Sequence, residues 1–292
     1  MTAAPVEVTG AIDAGAGQIR RELLRELAKS KTFIIGAVVV GFWILCALVG
    51  SHIAPHSPYD QDLLAVNAGP SGKHWFGTDQ LGRDVLSRVL VGSRSVLVIA
   101  TLATILGTIL GTILGLVTGY FRGPVDEVLS RLIEAVLVLP VVVTALLVVA
   151  ALGPSDQTLT IAIGLIFAPV ISRTVRAAVI SERELEYVSA AHLRREGSPY
   201  VMFVELLPNV ISPILVEFTV RLGYAIFAVA TLSFLGFGIQ VPTPDWGLDI
   251  SSNYSNITAG YWWEVLFDAA AIATLVIGVN LIADSIERVV DR

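Results

Sequence analysis

The chain is expected to fold as an all-α, polytopic membrane helix bundle. Three observations predict this: apolar residues gathered into blocks long enough to cross a bilayer, basic residues sorted between alternate loops, and no stretch that alternates as a strand does. Of its 292 residues, 54% are apolar and only 15% charged, with mean hydropathy +0.76. A water-soluble domain carries about 25% charged residues, so this surplus of apolar groups requires a solvent other than water. The net charge of −6 carries little weight, because in a membrane protein the placement of charge matters more than its sum. The single Cys46 lies inside an apolar run, which excludes an intramolecular disulfide.

Six spans are expected. Residues 33–54 hold no Asp, Glu, Lys or Arg over 22 positions, and residues 95–121 hold none over 27. Crossing about 30 Å of hydrocarbon takes roughly 20 helical residues. A third block, 135–152, contains Pro140. A fourth starts at Leu159, contains Pro169 and runs out through Arg173 and Arg176. The fifth begins near Val210, is interrupted by Glu217 and Arg221, and is then free of charge over 222–241; the sixth covers 266–283. Pro140 and Pro169 mark expected bends. Barrel strands would alternate polar and apolar over about ten residues. The first block starts too far along the chain and is too long for a cleavable leader.

Basic residues set the orientation. With the N-terminus in the cytoplasm, fourteen of the 19 Lys and Arg residues fall inside, and Lys73, Arg83, Arg88 and Arg94 fall outside. Both termini are therefore expected in the cytoplasm. Trp246, Tyr261, Trp262 and Trp263 precede the last span, as an aromatic belt at the outer interface would.

The chain divides into a cytoplasmic segment (1–32), a first span with a long extracytoplasmic loop (33–94), and a transmembrane core (95–292). In the first segment Ile19, Leu23 and Leu27 recur every fourth residue, reading either as a helix lying on the membrane surface or as a polar leader. In the second span Gly107, Gly111, Gly115 and Gly119 also recur every fourth residue. Small residues so spaced let another helix approach closely, either within the chain or from another subunit.

Catalytic patterns are absent, and no catalytic, cofactor-binding or metal-binding residue is expected. Gly72-Lys73 is no phosphate loop, because Asn67 stands at its first glycine position and His74 at its Ser/Thr position. His52, His56 and His74 share the first outer loop and read as solvated. Glu217 and Arg221, spaced i,i+4, read as an intramembrane pair or as a polar lining of a translocation path.

The segment between the fourth and fifth spans reads as a helix–turn–helix with one apolar and one charged face. It is longer than a connection requires, so a cytoplasmic partner is expected to bind it. Its residues carry a specific resemblance. Glu186-Tyr187-Val188 leads into Ser189-Ala190-Ala191, and Leu207-Pro208-Asn209 follows at a fixed distance, similar to the Glu-Ala-Ala coupling loop of ABC importer permeases. Ser189 stands where that family has Glu, and Arg195 where it has Gly, with Gly197 two residues on. Residues 76–88, including Gly77-Thr-Asp-Gln-Leu-Gly-Arg-Asp84, and residues 232–247, from Leu232-Ser-Phe-Leu-Gly to Asp245-Trp-Gly247, resemble two signatures of the dipeptide/oligopeptide (nickel) permeases, C-type subunit. Val229 stands where that family usually has Glu. Gly77 to Asp84 also reads as no more than a capped surface helix.

The resemblance implies a type I ABC importer permease fold and a non-catalytic subunit translocating oligopeptides or dipeptides. It implies a second related permease, two cytoplasmic ABC ATPase domains that hold ATP and Mg, and an extracytoplasmic peptide-binding protein. It also implies an ATPase-docking helix at about 184–200, in which Glu186, Tyr187, Ser189, Ala190, Ala191, Arg195 and Gly197 take part, with Leu207 and Pro208 beyond it. Membrane lipid surrounds the bundle and no nucleic acid is expected as a partner. Nickel or another small solute is the alternative cargo, and an ion-coupled carrier the alternative class.

Overall fold

The computed structural model describes residues 26–290. Ile19 and Leu23 of the expected surface helix lie outside the described residues; residues 26–29 are helical. Among the described residues there is no β-strand, only a single bridge between Thr78 and Asp84.

The first span, α1 (Lys31–Ile53), starts at Ser30, whose hydroxyl accepts from Phe33 N. A loop over 54–84 leads to α2 (Val85–Tyr120), 36 residues long and capped by Asp84. At 1.5 Å per residue α2 measures about 54 Å, well beyond a bilayer's hydrocarbon. It starts ten residues before the charge-free block, so Arg88 and Arg94 are helical residues and not part of a loop. α3 (Pro124–Leu137) and α4 (Val141–Leu152) follow, bent by 89° at the break between them. Then come α5 (Asp156–Glu182), the short α6 (Glu186–Leu193), and a continuous helical stretch at 198–209, α7. α8 (Ile211–Phe234), α9 (Trp246–Asn253) and α10 (Trp263–Val290) complete the order.

The third expected span is thus not one bent helix. Pro140 is the residue before α4 and has extended backbone. It cannot donate to the carboxyl end of α3 and it disfavours helical geometry at Leu139. Pro169, in contrast, lies inside α5. The fifth charge-free run also overshoots: α8 ends at Phe234, and Gly236 with φ +82° turns the chain away.

The core of the bundle is the contact between α2 and α5. A Cβ on Gly107 would lie 3.0 Å from Gly164 O, one on Gly111 2.7 Å from Ile171 Cβ, one on Gly115 2.6 Å from Val175 Cβ and one on Gly119 2.7 Å from Val179 Cβ. The glycine face is therefore consumed within the chain. The opposing helix presents Gly164, Ala168 and Ser172, small residues at the same spacing. The numbering rises on both helices together, so α2 and α5 run parallel. Lipid gives no hydrophobic drive for such a contact, and close van der Waals packing supplies it.

Parallel packing fixes the topology. The chain leaves α2 at one end and must enter α5 at the other, so α3 and α4 together carry it back as one broken span. With the five long helices, this gives six candidate crossings among the described residues. α1 and α10 pack antiparallel: Thr32 Oγ1 meets Ser285 Oγ at 2.9 Å, and Trp43 Nε1 donates to Thr274 Oγ1 at 3.1 Å. Lys31, Val290 and the 183–209 segment consequently share the end at which α2 finishes, and the 54–84 loop and α9 occupy the end at which it starts.

Candidate functional site

Two clusters cap the bundle, one at each end of α2. The first is built from the loop that enters α2. Gly77 (φ +78°) and Gly82 (φ +72°) hold backbone that a side chain would strain, and a Cβ on Gly82 would sit 2.2 Å from Asp62 O. Between them Asp79 closes a turn, accepting from Leu81 N and Arg83 N at 2.9 Å and from Arg83 Nε at 2.6 Å. Residues 77–84 are this turn and not a surface helix. Asp84 then caps α2, its Oδ2 accepting from Ser87 N at 2.8 Å and Ser87 Oγ at 2.7 Å.

One turn into α2, Arg88 is buried and forks onto Asp249 of α9, with Nη2 2.6 Å and Nε 3.0 Å from Oδ1. Its Nη1 donates to Pro58 O at 3.0 Å. Trp246 Nε1 donates to Val89 O at 2.9 Å, and the Trp246 ring stacks edge-on against Trp43 at 4.9 Å. The cis Val241–Pro242 bond lies in the stretch leading to α9. Asp245 caps α9 through Leu248 N at 2.9 Å. Burial pushes its carboxyl up to about 6, against the opposing pull of that hydrogen bond. The two stretches resembling separate signatures thus form a single buried ionic knot. The first stretch holds two Asp and two Arg, whereas the second holds only Asp245, with Asp249 two residues past its end, so no pattern in the sequence joins them.

Two expectations fail here. Trp246 is fully buried and belongs to no interfacial belt. His74 is not solvated: it is 5% exposed, and its Nδ1 lies 2.8 Å from Asp84 Oδ1.

The second cluster is the 183–209 segment. Arg183 Nη1 donates to Gly119 O and Tyr120 O at 2.8 Å each, closing the carboxyl end of α2. Arg122 pairs with Glu184. Tyr187 OH donates to Glu182 Oε2 at 2.8 Å, and burial first, then that hydrogen bond, pushes its phenol up to about 12. Val188, Ala191, Val201, Met202 and Leu206 face inward and are buried. Ala191 was expected on a docking face; it is fully buried, because it lies one turn after Val188 on the same side of α6. Glu186, Ser189, Ala190, Arg195, Gly197 and Pro208 are exposed, Tyr187 and Leu207 half-buried. Leu193 stands out at 86% exposure. Arg194 Nη2 bonds Glu205 Oε1 at 2.6 Å, tying the turn to α7. Pro208 has no N–H, and the turn before it widens to π geometry, with Leu207 N bonding Met202 O.

The turn itself keeps glycine geometry without the glycine. Arg195 has φ +59°, the left-handed region, whereas Gly197 has φ −71° and extended backbone. An L-residue there costs about 1–2 kcal/mol. Arg195→Gly is therefore expected to raise the stability of the segment by about 1 kcal/mol, read as slower proteolytic nicking between residues 183 and 209.

Glu217 and Arg221 lie together on α8, Arg221 Nε 2.6 Å from Glu217 Oε1, with the guanidinium 5.3 Å above the Tyr224 ring. The pair is part-buried on α8, and among the described residues no ion pair joins it to the ionic groups of either cluster.

The chain is thus a multi-pass helical membrane bundle with a hydrogen-bonded loop cluster at one end and a partly exposed helix–turn–helix at the other. Residues 107–292 match the family described as binding-protein-dependent transport system inner membrane component, and residues 19–70 match the N-terminal transmembrane domain of oligopeptide transport permease C. The chain belongs to this permease family. It is 36% identical to the dipeptide transport system permease protein DppC of Alkalihalophilus pseudofirmus over 93% of this chain and 89% of that protein. Against the DppC protein of Escherichia coli the identity is also 36%, over 93% of this chain and 92% of the relative. The DppC protein of Bacillus subtilis is 34% identical, over 91% and 83%.

Proposed function

We propose that the chain is one of two permease subunits of an ATP-driven importer that carries dipeptides or oligopeptides across the cytoplasmic membrane. Both termini lie in the cytoplasm, and the 183–209 segment docks on an ABC ATPase that holds ATP and Mg. An extracytoplasmic peptide-binding protein delivers cargo to the end carrying α9. The observation that carries this reading is the segment itself. Its apolar side chains Val188, Ala191, Val201, Met202 and Leu206 are buried, its outer face presents Ser189, Ala190 and Leu193, and Arg183 locks it to the end of α2. Such a segment transmits a push into the end of α2, the longest helix among the described residues. Peptide cargo is supported by the names of the relatives, dipeptide permeases matched over most of their length.

The test is reconstitution of the full importer in vesicles with a labelled dipeptide. ATP-dependent uptake after the ion gradients are dissipated is the expected result, and gradient-dependent uptake without ATP would sink the proposal. Ala190→Glu, on the exposed face, is expected to leave the fold intact while reducing uptake at least tenfold and leaving ATP hydrolysis unresponsive to cargo. Full uptake by this variant removes the docking role from α6.

A further inference from the structure

At the end of the bundle where α2 begins, three side chains of the 54–84 loop converge in a way that the ionic knot does not use. His56 follows α1, His74 lies in the middle of the loop, and Asp84 caps α2. His74 Nδ1 is 2.8 Å and His56 Nδ1 3.6 Å from the same atom, Asp84 Oδ1. The two imidazole rings lie 4.7 Å apart and tilted by 32°. One donor atom from each of the three residues lies within 4.8 Å of the others.

From this geometry we infer that His56, His74 and Asp84 form a binding site for a zinc-like divalent metal ion. Two imidazoles and a carboxylate are the donor set of zinc sites with three protein ligands, which leave the fourth position to water. Tetrahedral coordination at about 2.0–2.1 Å places donors about 3.3 Å apart, between the two separations seen here. The ion takes the place of the hydrogen bond between His74 Nδ1 and Asp84 Oδ1.

The surroundings are built as a metal site needs. Ser87 N and Oγ both bond Asp84 Oδ2, which leaves Oδ1 turned toward the imidazoles. Ser87 Oγ also accepts from His56 N at 3.1 Å, so the backbone at His56 is anchored independently of its ring. Ser71 Oγ accepts from His74 N at 3.1 Å and fixes the second ligand in the same manner. His56 Nδ1 is buried with no hydrogen-bond partner, although its residue is partly exposed. All three residues border a polar pocket of about 620 Å³ that also reaches Asp62 and Lys73, giving an ion a path in and room for a water ligand. Bound there, the ion cross-links the exit of α1, the outer loop and the first turn of α2.

The test uses the full-length chain without a histidine tag, purified in detergent. Titration with zinc by calorimetry is expected to give one ion per chain, and cobalt in its place a visible band of tetrahedral type. His56→Ala should weaken zinc binding at least tenfold and abolish the cobalt band. The exposed His52, whose Nδ1 bonds Ser51 Oγ at 3.2 Å, provides the control, and His52→Ala should bind as the wild type does. Zinc should raise the thermal midpoint of the wild type and leave that of His56→Ala unmoved. Absence of stoichiometric zinc binding by the wild type, or equal affinity in His56→Ala, overturns the site.

Discussion

Arg88→Ala is expected to destabilise the chain by about 3–5 kcal/mol, the usual cost of leaving one partner of a buried ion pair behind. Asp249 would remain buried with Arg83 Nη2 as its nearest cation at 3.9 Å. The surrounding acids make that worse, since Asp245 and Asp79 lie close and Asp268 of α10 is buried within electrostatic reach of both Arg88 and Asp249. The measurement is thermal unfolding in detergent, where a fall on the order of 10 °C is expected. Arg88→Met combined with Asp249→Leu removes both charges and should recover much of the loss. A single Arg88→Ala variant that melts with the wild type would show the fork to be dispensable.

Gly111→Leu is expected to be at least as damaging, through packing and not charge. The first added carbon already lies 2.7 Å from Ile171 Cβ and 2.8 Å from Ala168 O. One surplus methylene in a filled interior costs about 1–3 kcal/mol, and a leucine brings several. α2 and α5 would have to part along their length, so loss of folded protein in membranes is the expected outcome. Gly107→Ala, whose Cβ would lie 3.0 Å from Gly164 O, should be milder. Gly41→Leu is the control, because nothing lies within 4 Å of a Cβ placed there. Yield and melting temperature across the three variants should rank in that order; equal yields would remove the tight α2–α5 contact from the account of stability.

Much of the bundle could be read from the chain because bilayer thickness imposes a length on each apolar block. The first and last spans differ from the expected ranges by a few residues at most ends. The errors arise where a local pattern met a distant contact. α2 begins ten residues early because Asp84 caps it and Arg88 finds Asp249, 161 residues away; hydropathy treats both charges as the end of a span. The burial of His74 depends on the same loop closure, and no spacing in the sequence announces it. Ala191 and Ala190 are adjacent in a short motif, yet one faces inward and one outward, which helical periodicity decides once the buried neighbour Val188 is known. The family comparison located the turn at Arg195, and only the backbone shows that a non-glycine residue accepts the left-handed conformation there.

The parallel seam between α2 and α5 has a mechanical consequence. Locked to α5 at every fourth residue from Gly107 to Gly119, α2 behaves as a stiff beam, with the 183–209 segment bolted to one extremity and the Arg88–Asp249 fork to the other. A beam of about 54 Å that tilts by roughly 10° about one end carries the other through about 9 Å. A modest rotation at the α6 end would thereby be amplified at the opposite end, without any helix changing its internal hydrogen bonds.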